Sequence, residues 1–372
     1  VIYLDHNASA LPDREAAEAA ASWLLGGLGN PSSVHAAGRR ARAALERARR
    51  QVASAIGGSP GEIVFTSGAT EAIHLAVSGW AGPGAHALVS AVEHPAVFGA
   101  CRSAGLDPEV IPVDAAGRLA PSEIAARCRP TTAFVAVMAA QNELGNRYPV
   151  ERIAAAIAPV PLLVDAVQLL GRGPLDVRTL GAAAVVISGH KIGAPAGIGA
   201  LWCRPGLCLR PGLAGGPQER GRRGGTENVA GAIGLGVAAA RLPHRLAEVP
   251  RLAALRDLCT EGLRARAPGV VFHGDPTERL PNTLSFRIAG IPGDVLLAAL
   301  DLEGFCLSSG SACASGGLEP SPVLRALGLD AETARGAIRL SMGPETSEAD
   351  VTSFLDVLPA LLARIRAAGG GS

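Results

Sequence analysis

Short apolar runs alternate with longer amphipathic ones through the first two thirds of the chain. Residues 62–66, 86–92, 109–113, 133–139, 162–165, 183–188 and 199–203 are nearly all apolar, and their short length reads as strands buried on both faces. Between them, apolar residues recur at helical spacing over 15–25, 37–56, 70–78, 95–104, 122–128 and 150–157. Strand and helix in regular alternation predict βαβ units: an α/β fold with a mostly parallel, seven-stranded sheet under helices. The stretch 206–225 is rich in glycine and has no period, so it reads as a loop. A helical pattern follows from 228 to about 267, with breaks near Pro243 and Pro250.

Beyond that point the rhythm changes. Strands are expected at 270–272, 283–288 and 337–341, and helices at 293–303, 321–327 and 347–368, the mark of a smaller α+β unit. An opening strand and turn spans 3–10. At 372 residues the chain is long for one hydrophobic core. The expected division is a large domain over 12–250 and a small domain built from 1–11 and 251–372.

Composition narrows the classes of function. The chain is 48% hydrophobic and 18% charged, which excludes a disordered polyelectrolyte. A formal net charge of +1 gives no electrostatic case for nucleic acid or an anionic membrane. No secretory leader opens the chain, and no apolar run has membrane-spanning length. The missing initiator Met and the closing Gly-Gly-Gly-Ser read as a processed or trimmed chain. The seven cysteines are odd in number and form no CxxC pair, as expected in a reducing, cytoplasmic setting. Arginines between 39 and 50 have helical spacing and read as a solvated face.

Lysine plus arginine number 34, and only Lys191 is a lysine. Arg stays protonated, whereas a Lys amine can lose its proton and bond covalently to an aldehyde. Lys191 closes Ser188-Gly189-His190-Lys191 just after a predicted strand. Thr70, His94, Asn142 and Asp165 also follow predicted strands, and open α/β sheets bind ligands beyond the carboxyl ends of their strands. Ser67-Gly68-Ala69-Thr70 opens a helix, where free amides suit an anion. No GxGxxG or P-loop pattern is present. Asp165 ends a strand, where it is either a turn cap or the partner of a protonated ring nitrogen such as that of pyridoxal phosphate. Ser188 and His190 flank the lysine and suit the phosphate, and His94 suits stacking on the ring. Arg339 lies within a strand, where it either faces the surface or forks onto a carboxylate. Cys313 sits in Ser308-Ser309-Gly310-Ser311-Ala312-Cys313-Ala314-Ser315-Gly316-Gly317, a run without apolar period that reads as a loop carrying a reactive thiol.

Together these stretches resemble the cysteine desulfurases of the NifS/IscS type, within the class-V aminotransferase family. The resemblance runs in order through Tyr3-Leu4-Asp5-His6-Asn7-Ala8, Gly29-Asn30-Pro31-Ser32-Ser33-Val34-His35 and Phe65-Thr66-Ser67-Gly68-Ala69-Thr70-Glu71. It continues through Glu93-His94, Asn142-Glu143-Leu144-Gly145, Asp165-Ala166-Val167-Gln168, Ser188-Gly189-His190-Lys191, Gly225-Thr226-Glu227-Asn228, the Cys313 run and Ile338-Arg339-Leu340-Ser341.

The resemblance implies an aminotransferase-like fold of type I and a pyridoxal 5'-phosphate enzyme. It would convert L-cysteine to L-alanine and leave the sulfur as a persulfide on Cys313. Lys191 would be the Schiff-base lysine and take the Cα proton. His94 would stack on the pyridine and serve as a candidate proton shuttle. Asp165 would bind the ring nitrogen and Gln168 the phenolic oxygen. Thr70, Ser188 and His190 would hold the phosphate, joined by Thr226 from the partner of a homodimer. Asn142 and Arg339 would orient the amino acid. The sulfur would pass to an acceptor or iron–sulfur scaffold protein. Selenocysteine lyase or aminotransferase-like chemistry is the alternative, and a non-catalytic sulfur relay a remote one. Departures from the family pattern fall at Ser9-Ala10 and at Ala214 and Pro217.

Overall fold

The computed structural model describes residues 1–207, 209–309 and 320–369. All seven strands expected in the large sheet form: β2 (Ile63–Thr66), β3 (His86–Ser90), β4 (Glu109–Ile111), β5 (Thr132–Ala136), β6 (Leu162–Asp165), β7 (Ala184–Ser188) and β8 (Gly199–Cys203), after a two-residue β1 (Ile2–Tyr3). The sheet runs β2-β8-β7-β6-β5-β3-β4. Its pairs are parallel except those of β8, which is antiparallel to both β2 and β7.

Both faces are buried except at the edge strand β4, where Val110 is exposed, which is why the strands read as apolar runs. Ile63, Phe65, Leu88, Val185 and Ile187 join one core, while Val64, Ala87, Val89 and Val186 join the other. Ala36–Ala55 and Val229–Ala240 cover the first face with Ala48, Val52 and Leu235. Ala69–Trp80 and Pro95–Ser103 cover the second with Ile73, Leu75, Val97 and Cys101. The two helices on the first face approach closely. A Cβ on Gly236 would lie 2.7 Å from Ala48 Cα, so only glycine fits there. Among the described residues no helix is long and apolar enough to cross a membrane.

A second, antiparallel sheet has the order β12-β13-β10-β9, from β9 (Val270–His273), β10 (Thr283–Ile288), β12 (Ser308–Ser309) and β13 (Ile338–Ser341). β1 pairs in parallel with β11 (Phe305–Cys306). Leu4, Leu252, Leu284, Phe286, Leu340 and Phe354 share a separate core beneath Val249–Arg266, Gly293–Leu302 and Glu348–Gly369. Sequence periodicity misses β11, β12 and the helix Ala331–Arg335, which are too short to show a period.

One expectation needs correction. The face at 39–50 is not solvated throughout: Arg49 is 3% exposed, and its Nη atoms donate to Glu219 at 2.6 and 2.8 Å. Glu219 also accepts the Phe65 N–H of β2 at 3.0 Å. The predicted loop thus contains an anchored turn, Gln218–Gly221. Within it Glu219 (φ 48°) and Arg220 (φ 60°) adopt the left-handed conformation, which is costly outside glycine.

Candidate active site

The carboxyl ends of the parallel strands open onto a cavity of about 480 Å³. Size does not single it out, since a hollow of about 560 Å³ lies among Arg118, Tyr148 and Asp275. Its chemistry does. Thr70, His94, Asn142, Asp165, Gln168, Ser188, His190, Lys191 and Arg339 all line it. Sequence reasoning placed these nine residues together, and the fold delivers them from six separate loops and strands.

Lys191 sits in the 3-10 turn Gly189–Lys191 that follows β7. Its Nζ donates to the carbonyls of Asn7 and Ala8, both at 2.6 Å. His190 brings its Nδ1 within 3.3 Å of Ser9 Oγ, so a residue that departs from the family pattern contacts the site. Burial and the Lys191 charge push His190 down to about 4, which keeps the ring neutral at physiological pH.

Asp165 ends β6 at 7% exposure, and its Oδ1 accepts the Val167 N–H at 2.9 Å. Burial raises its pKa, while the hydrogen bond from Val167 and the electrostatic influence of His94 and Lys191 oppose the rise. A buried carboxylate in that balance is stabilised in its charged form by a cation placed in the cavity. His94 caps Pro95–Ser103, with Nδ1 accepting the Ala96 N–H at 3.1 Å. That bond assigns the ring hydrogen of the neutral imidazole to Nε2.

Gly68, Ala69 and Thr70 begin the twelve-residue helix Ala69–Trp80, whose terminus has no side-chain cap. Its first-turn residues line the same cavity, and the free amides of such a terminus suit an anion cradle. Gly199 on β8 keeps the cradle close, since a Cβ there would lie 2.8 Å from the Gly68 backbone.

Arg339 is 1% exposed and holds three oxygens: Asp5 Oδ1 at 2.7 Å, Ser308 Oγ at 2.6 Å and the Asn142 carbonyl at 3.2 Å. Ser308 Oγ also donates to Asp5 Oδ1 at 2.6 Å. Arg339 Nε is buried without a partner among the described residues, a donor that suits a ligand oxygen. The surface-facing alternative for Arg339 is therefore excluded. Gln168 donates Nε2 to the Asn7 carbonyl at 3.0 Å.

Two expected residues stand apart. Thr226 lines a small neighbouring cleft with Ser67, Gly197 and Glu219 rather than the main cavity. Cys313 lies outside the described residues. Five other thiols, at Cys101, Cys128, Cys203, Cys259 and Cys306, are unpaired. Burial pushes Cys101 up to about 11 and Cys203 and Cys259 up to about 12, so these three do not supply a thiolate. Sequence reasoning gave no role to Asp5, Asn7 or Arg172. The polar run Asp5-His6-Asn7 inside an otherwise apolar N-terminal stretch is the signal that could have found the first two.

A lysine, a buried carboxylate and an uncapped helix terminus share one cavity at the carboxyl edge of a mostly parallel sheet. That fold and that cavity define a fold-type-I enzyme for pyridoxal phosphate: the aldehyde, the ring nitrogen and the phosphate each find a chemical complement. The chain belongs to the class-V aminotransferase family, whose sequence model matches residues 2–354. It is 43% identical over 376 residues to a cysteine desulfurase of Trichormus azollae, covering 99% of this chain and 94% of that one. A solved NifS-like protein superposes with a TM-score of 0.90 at 32% identity, over 98% of this chain and 99% of its own. A structure described as SspA in complex with cysteine matches with a TM-score of 0.80 at 29% identity, over 93% of this chain and all of its own (100%).

Proposed function

We propose that the chain does what its relatives are named for and is a pyridoxal-phosphate-dependent cysteine desulfurase. The observation that carries this is Arg339, a buried arginine whose Nε has no partner among the described residues, in the same cavity as the chain's only lysine. An amino acid whose carboxylate meets Arg339 is presented to Lys191 across the pocket.

The residues fit the cofactor as follows. Lys191 would hold its aldehyde carbon, Asp165 its ring nitrogen and Gln168 its phenolic oxygen. His94 would lie against the ring, and Thr70, Ser188, His190 and the helix amides would take the phosphate. When bound, the cofactor serves as an electron sink for charge developing at the substrate Cα. Lys191 then moves the Cα proton through Nζ, and the Asn7 and Ala8 carbonyls hold that amine in place. Asn142 and Arg339 fix the substrate's orientation. The Cys313 thiolate attacks the substrate sulfur, the Cβ–S bond breaks, and Cys313 keeps the sulfur as a persulfide. The electrons of the broken bond return to the substrate carbon, which is protonated, so cysteine leaves as alanine.

The two separate cores support a large domain over 12–250 and a small one from 1–11 and 251–372, although Leu324 and Leu327 pack on the large core. Thr226 sits outside its own chain's cavity, which suits a homodimer in which it reaches the partner's phosphate site. Unpaired thiols suit a reducing cytoplasm. The persulfide would pass to an acceptor protein, with iron–sulfur cluster assembly one such use.

The test is alanine and sulfide release from L-cysteine by the cofactor-loaded protein, its Cys313→Ala variant and its Lys191→Ala variant. Equimolar products from the wild type and loss in both variants are expected. Unchanged turnover in Cys313→Ala would overturn the persulfide step, and unchanged turnover in Lys191→Ala the whole assignment.

A further inference from the structure

Arg172 is 8% exposed, and no carboxylate among the described residues pairs with it. Its donors go instead to three uncharged oxygens: the Gln168 carbonyl at 3.1 Å, Gln168 Oε1 at 2.9 Å and the His6 carbonyl at 3.2 Å. A buried guanidinium without an acid is costly. Burial, together with the Arg245 and Arg339 charges, pushes it down to about 9, still charged at neutral pH. A structural role alone does not explain a cation where an apolar side chain would be cheaper.

The hydrogen bonds show what the cation controls. Arg has donors only, so the Gln168 amide must turn its Oε1 toward Arg172. Nε2 then points the other way and donates to the Asn7 carbonyl at 3.0 Å. The same carbonyl accepts from Lys191 Nζ at 2.6 Å. Arg172 is therefore joined to the lysine through one amide and one carbonyl.

We propose that Arg172 is a positioning residue for the cofactor: it locks Gln168 as a hydrogen-bond donor beside Lys191 and sets a fixed positive charge behind that amide. The proposal rests on the pyridoxal-phosphate assignment above. Both effects favour negative charge on the cofactor oxygen that Gln168 faces. Both therefore lower the pH at which the Lys191-linked cofactor loses its proton. The other charged groups lining the cavity with Lys191 are Asp165 and Glu71, which act in the opposite sense, Glu71 being paired with Arg223, and Arg339, which reinforces Arg172. His94 and His190 border the same cavity, and His190 and His6 are both pushed down to about 4 and stay neutral. Arg245 lies on the side of Arg172 and His6 and is a cation too.

The test is a pH titration of the bound cofactor's visible absorbance in the wild-type holoenzyme and in Arg172→Met, Arg172→Gln and Arg172→Lys. Arg172→Met should move the midpoint up by roughly one unit, a ~10-fold tighter hold on the proton. Arg172→Gln, which keeps a donor but loses the charge, should move it part of the way. Arg172→Lys should restore it. A structural role would lower the melting temperature and leave the midpoint in place. Folded, loaded Arg172→Met titrating within ~0.2 units of wild type overturns the proposal. Should that variant fail to fold, equal midpoints in Arg172→Gln and Arg172→Lys overturn it equally. A wild-type protein without the absorbance instead overturns the cofactor assignment and this proposal with it.

Discussion

Glu219→Gln should destabilise the large sheet without touching the cavity. The change is nearly isosteric and leaves an oxygen to accept the Phe65 N–H, but it removes the charge and turns the other acceptor of Arg49 into an amide donor. Arg49 and Glu219 are paired at 4% and 1% side-chain exposure, so water cannot solvate the cation left behind. Removing one member of a buried pair costs about 3–5 kcal/mol. Arg49 keeps its 3.0 Å bond to the partly exposed Glu46 and its bond to the Ile63 carbonyl, which places the loss near ~3 kcal/mol. For a long chain with a urea m-value near ~3 kcal/mol/M, the unfolding midpoint should fall by about 1 M.

The natural reporter is tryptophan fluorescence, because Trp23, Trp80 and Trp202 all lie on the large-sheet side. Arg49→Met alone should cost more, since it strands a buried carboxylate. The double variant should cost less than the two losses added, by roughly 2–3 kcal/mol. Losses that add to within ~0.5 kcal/mol would refute the reasoning. They would mean that the backbone bonds to β2, and not the charge pair, hold the left-handed turn in place.

Two further predictions concern the cavity. Burial pushes Glu93 up to about 8, helped by the Asp165 charge and opposed by donors from Ser90 Oγ and Met138 N. Its folded pKa lies above the ordinary 4.5, so the folded state binds the extra proton and its stability falls as pH rises from there to about 8. Glu93→Gln imitates the protonated acid. In the cofactor-free protein it should match wild type near pH 4 and exceed it by a few kcal/mol at pH 8; a gap that stays flat across that window would show that Glu93 ionises normally. Arg339→Lys keeps a charge but not a planar fork, and it cannot serve Asp5, Ser308 and the Asn142 carbonyl together. Steady-state assays should show kcat/KM for cysteine lower by ~10–100-fold, mostly through KM, and an unchanged KM would remove Arg339 from substrate binding.

The strands of the large sheet were legible because all but the edge strand β4 are buried on both faces and write themselves as apolar runs. β6 and β8 match their expected bounds at both ends. The reversed direction of β8 was not legible, since direction depends on the connection and leaves the apolar pattern unchanged. Most of the cavity residues were legible because strand ends are polar punctuation in an apolar text; Gln168 came only from the family resemblance, and Arg339, inside a strand, was left open between the surface and a carboxylate. Arg49 was misread for a physical reason: helical spacing reports which face a residue occupies, and its partner Glu219 lies 170 positions away. Arg172 was invisible for a similar reason. Its partners Gln168 and His6 offer neutral oxygens, so no charge pattern announces them.

The bond between Asp5 and Arg339 joins residues 334 positions apart. During synthesis the lysine, the buried carboxylate and the anion cradle have all left the ribosome soon after β8 is made. The Arg339 corner has to wait for β13, close to the end of translation. The groups expected to hold the cofactor are therefore all synthesised well before the arginine expected to meet the amino acid. A chain cut short after β8 would carry the lysine and the buried acid but lack Arg339 and the share of the large core supplied by Leu235, Leu324 and Leu327.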